Sequence, residues 1–334
     1  MSDLQDIQSK KVLISALDWG FGHTTRCAPI ISKLIQQGNS IVFAGNEKQN
    51  AFISKEFENI KTVFIKGYNI QLNAAKSTYL QIGFQLPKLL FSKLREKQWV
   101  KQFLRVEDFD IIISDNRYGF RNRRIKSIFI THQTSPNLPF ANKLVSHSLH
   151  QWINRFDTCW IPDDPQINLS GKLSQHHLKI EVKYIGILTR FNLIQTSKQF
   201  DVLFLVSGPY PESKHFLERI IKSITKHNQF SYCIVSTISH SILINKSITF
   251  INSPSTYQLE SLINQSNYIV GKCGYTSLME LHSILDRVIL FPTKGQFEQE
   301  YLAERHHTLS LSETDVARKD LIKNIIFDLN GGSR

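Results

Sequence analysis

Residues 11–17, Lys-Val-Leu-Ile-Ser-Ala-Leu, form a largely apolar run that leads into Asp18-Trp19-Gly20-Phe21-Gly22-His23-Thr24-Thr25-Arg26. A helical pattern through Ala28, Ile31, Leu34 and Ile35 follows at once. A buried strand, a glycine turn and a helix in that order are the start of a parallel sheet covered by helices, and few other folds accept them. The same arrangement gathers backbone N–H groups at a helix start that carries roughly half a positive charge, which suits an anion. Glycines there let a ligand come close to the main chain. His23 is the one side chain in the turn whose ordinary pKa lies near neutrality. The turn is neither G-x-G-x-x-G, since Thr25 holds the third glycine position, nor a P-loop, since no Lys-Ser/Thr pair follows. A tight structural turn with a packed His23 and an anion or sugar site are both compatible with it.

The alternation continues. Further strands are predicted at 40–44, 61–65, 111–114, 127–130 and 158–162, with helices at 27–37, about 48–57, 76–105 and about 142–154. The segment 180–186 reads as a crossing strand and linker, after which the alternation restarts. Strands are predicted at 201–207, 230–237, 247–251, 268–271 and 287–291, and helices at 212–227, 255–264, about 276–284 and 296–306. This divides the chain into an α/β domain over 1–186 and a second over 187–334, with a final helix expected to pack back on the first. Two such halves predict a ligand cleft between them, at the carboxyl ends of the strands. The tail Gly331-Gly332-Ser333-Arg334 reads as disordered.

At 334 residues, with 41% hydrophobic and 20% charged residues, the chain is that of a folded globular protein with no run long enough to span a bilayer. The N-terminus lacks the layout of a signal peptide, and Cys27, Cys159, Cys233 and Cys273 are scattered without a C-x-x-C pair. A reducing compartment, the cytoplasm, is therefore expected. The net charge of +12 favours an anionic partner. Lys88, Lys93, Arg95, Lys97, Lys101 and Arg105 carry part of that excess on a helix that also holds Leu89, Leu90, Phe91, Leu94, Trp99, Phe103 and Leu104. Such a mixture over 87–105 reads either as an amphipathic helix with a solvated lysine face or as a peripheral contact with an anionic membrane. A second basic group is Arg117, Arg121, Arg123, Arg124 and Lys126. No DNA- or RNA-binding signature is present, so no nucleic-acid partner is expected.

The second half repeats the strand–turn–helix device twice. Val202–Val206 runs into Ser207-Gly208-Pro209-Tyr210-Pro211, and Tyr268–Gly271 runs into Lys272-Cys273-Gly274-Tyr275-Thr276-Ser277-Leu278-Met279-Glu280. Leu290-Phe291-Pro292 then leads to Gln296, Gln299 and Glu300. In this order and spacing the chain resembles, over nearly its whole length, the GT-B glycosyltransferases of the family 28 type. That group includes the bacterial peptidoglycan lipid-intermediate N-acetylglucosaminyl transferase. The resemblance rests on the glycine turn ending in His23, on the basic-x-Gly-x-x-x-x-x-Glu segment from Lys272 to Glu280, and on Pro292 with a polar pair seven and eight residues later. It departs from the family at the first turn, which has Gly-Phe-Gly-His instead of Gly-Gly-x-Gly-Gly-His. The second turn has fewer glycines, and Glu300 stands where an amide is usual.

The resemblance implies a GT-B fold, two Rossmann-like domains facing across a cleft. It also implies a nucleotide-diphosphate sugar, a UDP-sugar such as UDP-GlcNAc, as donor. By position Glu280 would hold the ribose hydroxyls, while Gln299 and Glu300 would reach the donor sugar. Transfer needs a base, stabilisation of the departing diphosphate and orientation of the anomeric carbon. His23 is the candidate base, with Asp18 either orienting it or replacing it. Backbone groups at Gly22, Ser207, Gly208, Gly274, Tyr275 and Thr276 would meet the diphosphate, and Lys272 would add charge or stay solvated. Asn116, Arg117 and His132, after the strands at 111–114 and 127–130, are acceptor-side candidates, His132 equally a structural histidine. No metal or other cofactor is expected, and Asp108-Phe109-Asp110 reads as a solvated loop. The expected activity is inverting transfer to an unidentified sugar or lipid-linked hydroxyl, in a cell-envelope pathway at the inner face of the membrane. Hydrolysis of a UDP-sugar in a sialic-acid-like pathway is the alternative. Gly20, Gly22, His23, Arg26 and Cys27 also match the Gly-x-Gly-His-x-x-Arg-Cys of such a hydrolase. A non-catalytic nucleotide-sugar-binding subunit is a further reading.

Overall fold

The computed structural model describes residues 2–68, 78–135, 142–208, 211–225, 227, 229–238, 247–293 and 295–306. Pro209, Tyr210, the start of the helix expected from 76 and the tail from 307 lie outside these residues. The chain divides into two compact units, Met1–Arg190 and Phe191–Arg334.

In the first unit the elements run α1 (Ser2–Gln5), β1 (Lys11–Ala16), α2 (Gly22–Gln36), β2 (Ser40–Gly45), α3 (Glu47–Glu56) and β3 (Lys61–Phe64). They continue as α4 (Thr78–Phe103), β4 (Ile111–Asp115), β5 (Lys126–Ile130), α5 (Asn142–Ile153), β6 (Thr158–Ile161) and β7 (Glu181–Tyr184). The seven strands pair in the order β3-β2-β1-β4-β5-β6-β7, all parallel. Parallel strands are covered on both faces, which is why β1 and β4 read as near-continuous apolar runs and why Val12, Leu13, Ile14, Ile112 and Ile113 are fully buried. Leu13, Val42, Val100, Phe109, Ile112 and Phe120 make one core cluster, with Trp99, Phe103 and Leu104 packed against it. The apolar residues at the end of α4 are thus turned onto the sheet, while Leu90, Phe91 and Leu94 are exposed.

The second unit holds β8 (Phe200–Val206), α6 (Glu212–Ile224), β9 (Tyr232–Ser236), β10 (Ile248–Asn252), α7 (Thr256–Asn264), β11 (Ser266–Lys272), α8 (Tyr275–Glu280), β12 (Val288–Phe291) and α9 (Phe297–Arg305). Its five strands are parallel in the order β10-β9-β8-β11-β12. Val202, Phe204, Phe216, Leu217, Ile220, Val270 and Phe291 fill the core between sheet and α6. Capping boxes, Asn46 with Gln49 on α3 and Ser255 with Gln258 on α7, fix two helix starts.

Three details differ from the sequence reading. The helix expected from residue 27 begins at Gly22, so His23 and Arg26 belong to its first turns. The segment 180–186 supplies β7, the edge strand of the first sheet, because its four residues pair with β6. The helix expected over 276–284 ends at Glu280, and a 3-10 turn, His282–Arg287, with non-helical Ile284 continues the chain.

Candidate functional site

Each sheet has a point where the chain turns from building in one direction to building in the other. In the first it lies between β1 and β4, in the second between β8 and β11. The carboxyl ends of strands at such a point cannot both be covered by crossover connections, so a crevice opens there.

At the first of these points Ala16 pairs with Asp115, which sets the last residue of β4 beside the turn that follows β1. His23 and Arg26, three residues apart on α2, share a helix face directed at that carboxylate. His23 Nδ1 lies 2.7 Å from Asp115 Oδ1, and Arg26 Nε donates to Oδ2 at 2.8 Å. Arg26 Nη2 also donates to Oδ1 and lies 2.9 Å from His23 Nδ1. An ionised carboxylate and a guanidinium fix the proton positions. Asp115 only accepts and its Oδ1 is the nearer group, so a hydrogen on His23 Nδ1 serves it; Arg26 Nη2 then donates to Oδ1 and not to the imidazole, and the neutral ring in this tautomer keeps its lone pair on Nε2. Arg26 only donates, so His132 Nδ1, 2.9 Å from Arg26 Nη1, accepts. Burial alone would raise the Asp115 carboxyl, but the Arg26 guanidinium and His23 outweigh it and hold its pKa at about 2. Asp115 is 0% exposed and Arg26 1%, whereas His23 keeps 18% of its side chain open.

The surrounding chain holds this geometry. Asn116 takes a left-handed conformation at φ 56°, which asparagine tolerates better than most residues, and its Nδ2 lies 3.5 Å from His23 Nδ1. Ser114 Oγ closes the same turn on the Arg117 carbonyl at 2.7 Å. Gln49 Nε2 donates to Thr24 Oγ1 at 2.8 Å and to the Ala16 carbonyl at 3.1 Å, tying α2 and α3 to the end of β1. Trp19 and Phe21 flank Gly20 and are 42% and 46% exposed; Phe21 stacks edge-on against Phe52 at 5.1 Å.

Two expected residues have other roles. The carboxylate on His23 is Asp115, and Asp18 Oδ1 instead accepts the Tyr68 N–H at 2.8 Å. Asp18 therefore secures the loop after β3, where a Cβ on Gly67 would sit 2.0 Å from its Oδ2. Arg117, expected on the acceptor side, is fully buried. Its Nε donates to Glu96 Oε1 at 2.7 Å, and its Nη2 donates to the Lys66 carbonyl at 3.0 Å. Glu96 also accepts from Tyr68 Oη at 2.8 Å and Gly119 N at 2.9 Å; burial raises its pKa, against the pull of Arg117. Arg117 is the cation of a structural cluster joining α4 to two loops.

In the second unit, Leu205 pairs with Gly271, so the turn after β8 lies beside the turn after β11. Ser207 and Gly208 are exposed, and Gly208 has φ 106°, a conformation that favours glycine. Gly274, at φ −88°, caps α8, and a Cβ built on it meets nothing within 4 Å. Thr276 is half-buried, Glu280 is buried, and Tyr275 is packed in the interior. Lys272 is also buried, its ammonium 4.7 Å from the centre of the Phe216 ring. Burial, with Arg219 adding to it and Glu212 opposing, lowers its pKa to about 8. Gln299 Oε1 accepts from Thr293 N and Glu300 Oε1 from Gly295 N, each at 2.8 Å, so both hold the loop between β12 and α9.

No protein-family model matches the chain, and no curated protein matches it in sequence. Among solved structures it is similar to the glycotransferase of kitacinnamycin, with a TM-score of 0.62 at 11% identity over 97% of this chain and 95% of that one. It is similar as well to Arabidopsis thaliana UGT89C1 complexed with UDP-L-rhamnose, with a TM-score of 0.59 at 12% identity over 97% and 93% of the two chains. For Phytolacca americana UGT2 complexed with UDP-2fluoro-glucose and pterostilbene, the TM-score is 0.61 at 12% identity over 98% and 91%. The chain therefore has the GT-B fold, two Rossmann-like α/β units. These likenesses do not single out the family 28 type.

Proposed function

We propose that the chain is a glycosyltransferase that moves a sugar from a UDP-sugar to a hydroxyl acceptor by inverting displacement. The observation that carries the reading is the His23–Asp115 pair at the first switch point, with Nδ1 committed to the carboxylate and Nε2 left as the base. In the proposed step His23 Nε2 takes the acceptor hydroxyl proton while that oxygen attacks the anomeric carbon. The bond from that carbon to the diphosphate breaks, and the electron pair leaves with UDP. Asp115 holds the ring in the required tautomer and balances the imidazolium that forms. Asn116 and His132 flank this pair on the acceptor side.

The solved glycosyltransferases named above, two of them bound to a UDP-sugar, support a nucleotide-sugar donor. We assign the diphosphate to main-chain groups at Ser207, Gly208, Gly274 and Thr276, and the ribose to Glu280. Lys272, seated over Phe216, is left out of this assignment. Donor hydroxyls would reach Gln299 and Glu300 by replacing the N–H groups of Thr293 and Gly295. The exposed Trp19 and Phe21 beside His23 favour an acceptor with an apolar part over water.

The test is UDP release from UDP-glucose and UDP-GlcNAc with and without a panel of hydroxyl acceptors, for wild type and His23→Ala, in water enriched in oxygen-18. Acceptor-dependent release that is lost in His23→Ala, with an unlabelled glycoside as product, supports transfer. Labelled free sugar without acceptor dependence moves the assignment to hydrolysis. Binding of UDP without turnover under any condition moves it to a binding subunit.

A further inference from the structure

We propose that the first unit carries a second anion site, distinct from the His23 centre, that takes the phosphate group of a phosphorylated ligand. The site is a cavity of about 290 Å³ lined by Lys93, Lys97, Arg121, Arg123 and Arg155, with Leu94 and Tyr118 as its apolar wall. Three separate pieces of chain converge there: α4, the β4–β5 connection, and the turn after α5. Gly119 permits the convergence, because a Cβ at that position would lie 2.1 Å from the Lys93 carbonyl.

The cluster is built as if awaiting negative charge. Among the described residues none of the five cations has a carboxylate within the 4.0 Å of a salt bridge. Arg121 Nε is buried without a hydrogen-bond partner, a state that costs free energy unless a ligand relieves it. Its guanidinium lies 5.6 Å from the centre of the Phe156 ring, and the Lys93 ammonium lies 3.9 Å from that of Trp152, so aromatic faces hold both in place. Among the described residues, Asp157 is the carboxylate that acts on Arg121 from a distance, and its Oδ2 accepts the Ser127 N–H at 2.7 Å. Burial first, then Arg155, Arg121 and Lys97, push the Lys93 ammonium down to about 8. A phosphate placed among these groups reverses that repulsion, accepts from a planar guanidinium and supplies the missing acceptor. Leu94, which lines the cavity, and Phe91, three residues before it on the same helix, are each 65% exposed and would meet the apolar part of a lipid.

Two probes distinguish the sources of such a group: glycerol 1-phosphate in solution, read by Trp152-dependent fluorescence, and phosphatidylglycerol vesicles, read by co-sedimentation against phosphatidylcholine. The variants are Arg121→Gln, Lys93→Gln and the double substitution, each checked by circular dichroism. The expected result is binding that weakens at least about tenfold in the double variant and falls as salt is raised. Binding of the soluble phosphate identifies a small phosphorylated ligand, and binding of vesicles alone identifies a lipid headgroup. Failure of the wild type to bind either probe, or equal binding by a folded double variant, overturns the proposal. Neither result bears on the His23 assignment.

Discussion

Replacing Asp115 by asparagine isolates the energetics of the first switch point. The substitution keeps the shape and removes the charge, leaving Arg26 at 1% exposure without its counter-ion. Stranding one partner of a buried pair costs about 3–5 kcal/mol. An independent figure comes from titration: a carboxyl moved from 3.8 to about 2 contributes roughly 2 kcal/mol of stability to the ionised form. The first figure is larger because asparagine also replaces one of the two oxygens that accept from His23 and Arg26. With a urea slope of about 2–3 kcal/mol per molar, the midpoint of Asp115→Asn should fall by about 1–2.5 M. Adding Arg26→Met to the variant should recover a part of the loss, because no buried charge then remains. Of the difference between wild type and Asp115→Asn, the part that titrates, roughly 2 kcal/mol, should be full above pH 3.8 and be lost as pH falls through about 2, because the folded pKa is the lowered one. A midpoint that moves by less than about 0.3 M, or a double variant worse than the single, would refute the reasoning.

Four further outcomes are expected. His23→Ala, at a partly open side chain, should leave the urea midpoint within about 1 kcal/mol of wild type and lower turnover by about 10²–10⁴. Lys272→Met should be more stable than wild type at pH 7 by up to about 3 kcal/mol. That advantage should shrink between pH 8 and 10.5, where the folded lysine has shed its proton and the unfolded one has not; pH-dependent thermal melts read the slope. Gly119→Ala should cost about 1–3 kcal/mol or more in chemical denaturation, since its Cβ would lie 2.1 Å from the Lys93 carbonyl, which is main chain and cannot swing aside, and 2.9 Å from the Glu96 side chain. Asp18→Ala should raise hydrogen exchange at the Tyr68 amide and leave that of Asn116 unchanged, because Asp18 holds the loop after β3.

The strands were legible in sequence because parallel strands buried on both faces must be apolar throughout, as Val12-Leu13-Ile14 and Ile111-Ile112-Ile113 are. The order of strands was not legible. Asp115 becomes the partner of His23 only because β4 lies beside β1, a neighbour relation that hydrophobic pattern does not carry. Arg26 was visible within the first-turn motif, but its role depends on α2 starting at Gly22. The apolar pattern that marks this helix in sequence begins only at Ala28, more than one turn later. Asp18 and Arg117 are near the turn and the strand end in sequence. The fold gives Asp18 to the Tyr68 amide and Arg117 to Glu96, groups more than twenty residues away in each case. Gln299 and Glu300 had the expected spacing, yet spacing cannot show that the N–H groups of Thr293 and Gly295 hold them.

Gly274 offers the sharpest separation of fold from function in the second unit. Gly208, at φ 106°, strains any side chain put in its place, so a loss of binding there would be ambiguous. Gly274 has an ordinary extended backbone at φ −88° and ψ 151°, and open space where a Cβ would go. The protein itself therefore gives no reason for glycine at this position, and serine is at least as good a helix cap. If a nucleotide diphosphate lies against this turn, the reason is the ligand's approach to the main chain. Gly274→Ser and Gly274→Val should then keep the denaturation midpoint within about 1 kcal/mol of wild type. In wild type, UDP at a hundred times its Kd should stabilise by about 2.7 kcal/mol, or a melting shift on the order of 5–10 °C. Serine should reduce that shift and valine remove it. A full shift retained by a folded Gly274→Val would place the nucleotide elsewhere, and the assignment of Ser207, Gly208 and Thr276 would go with it.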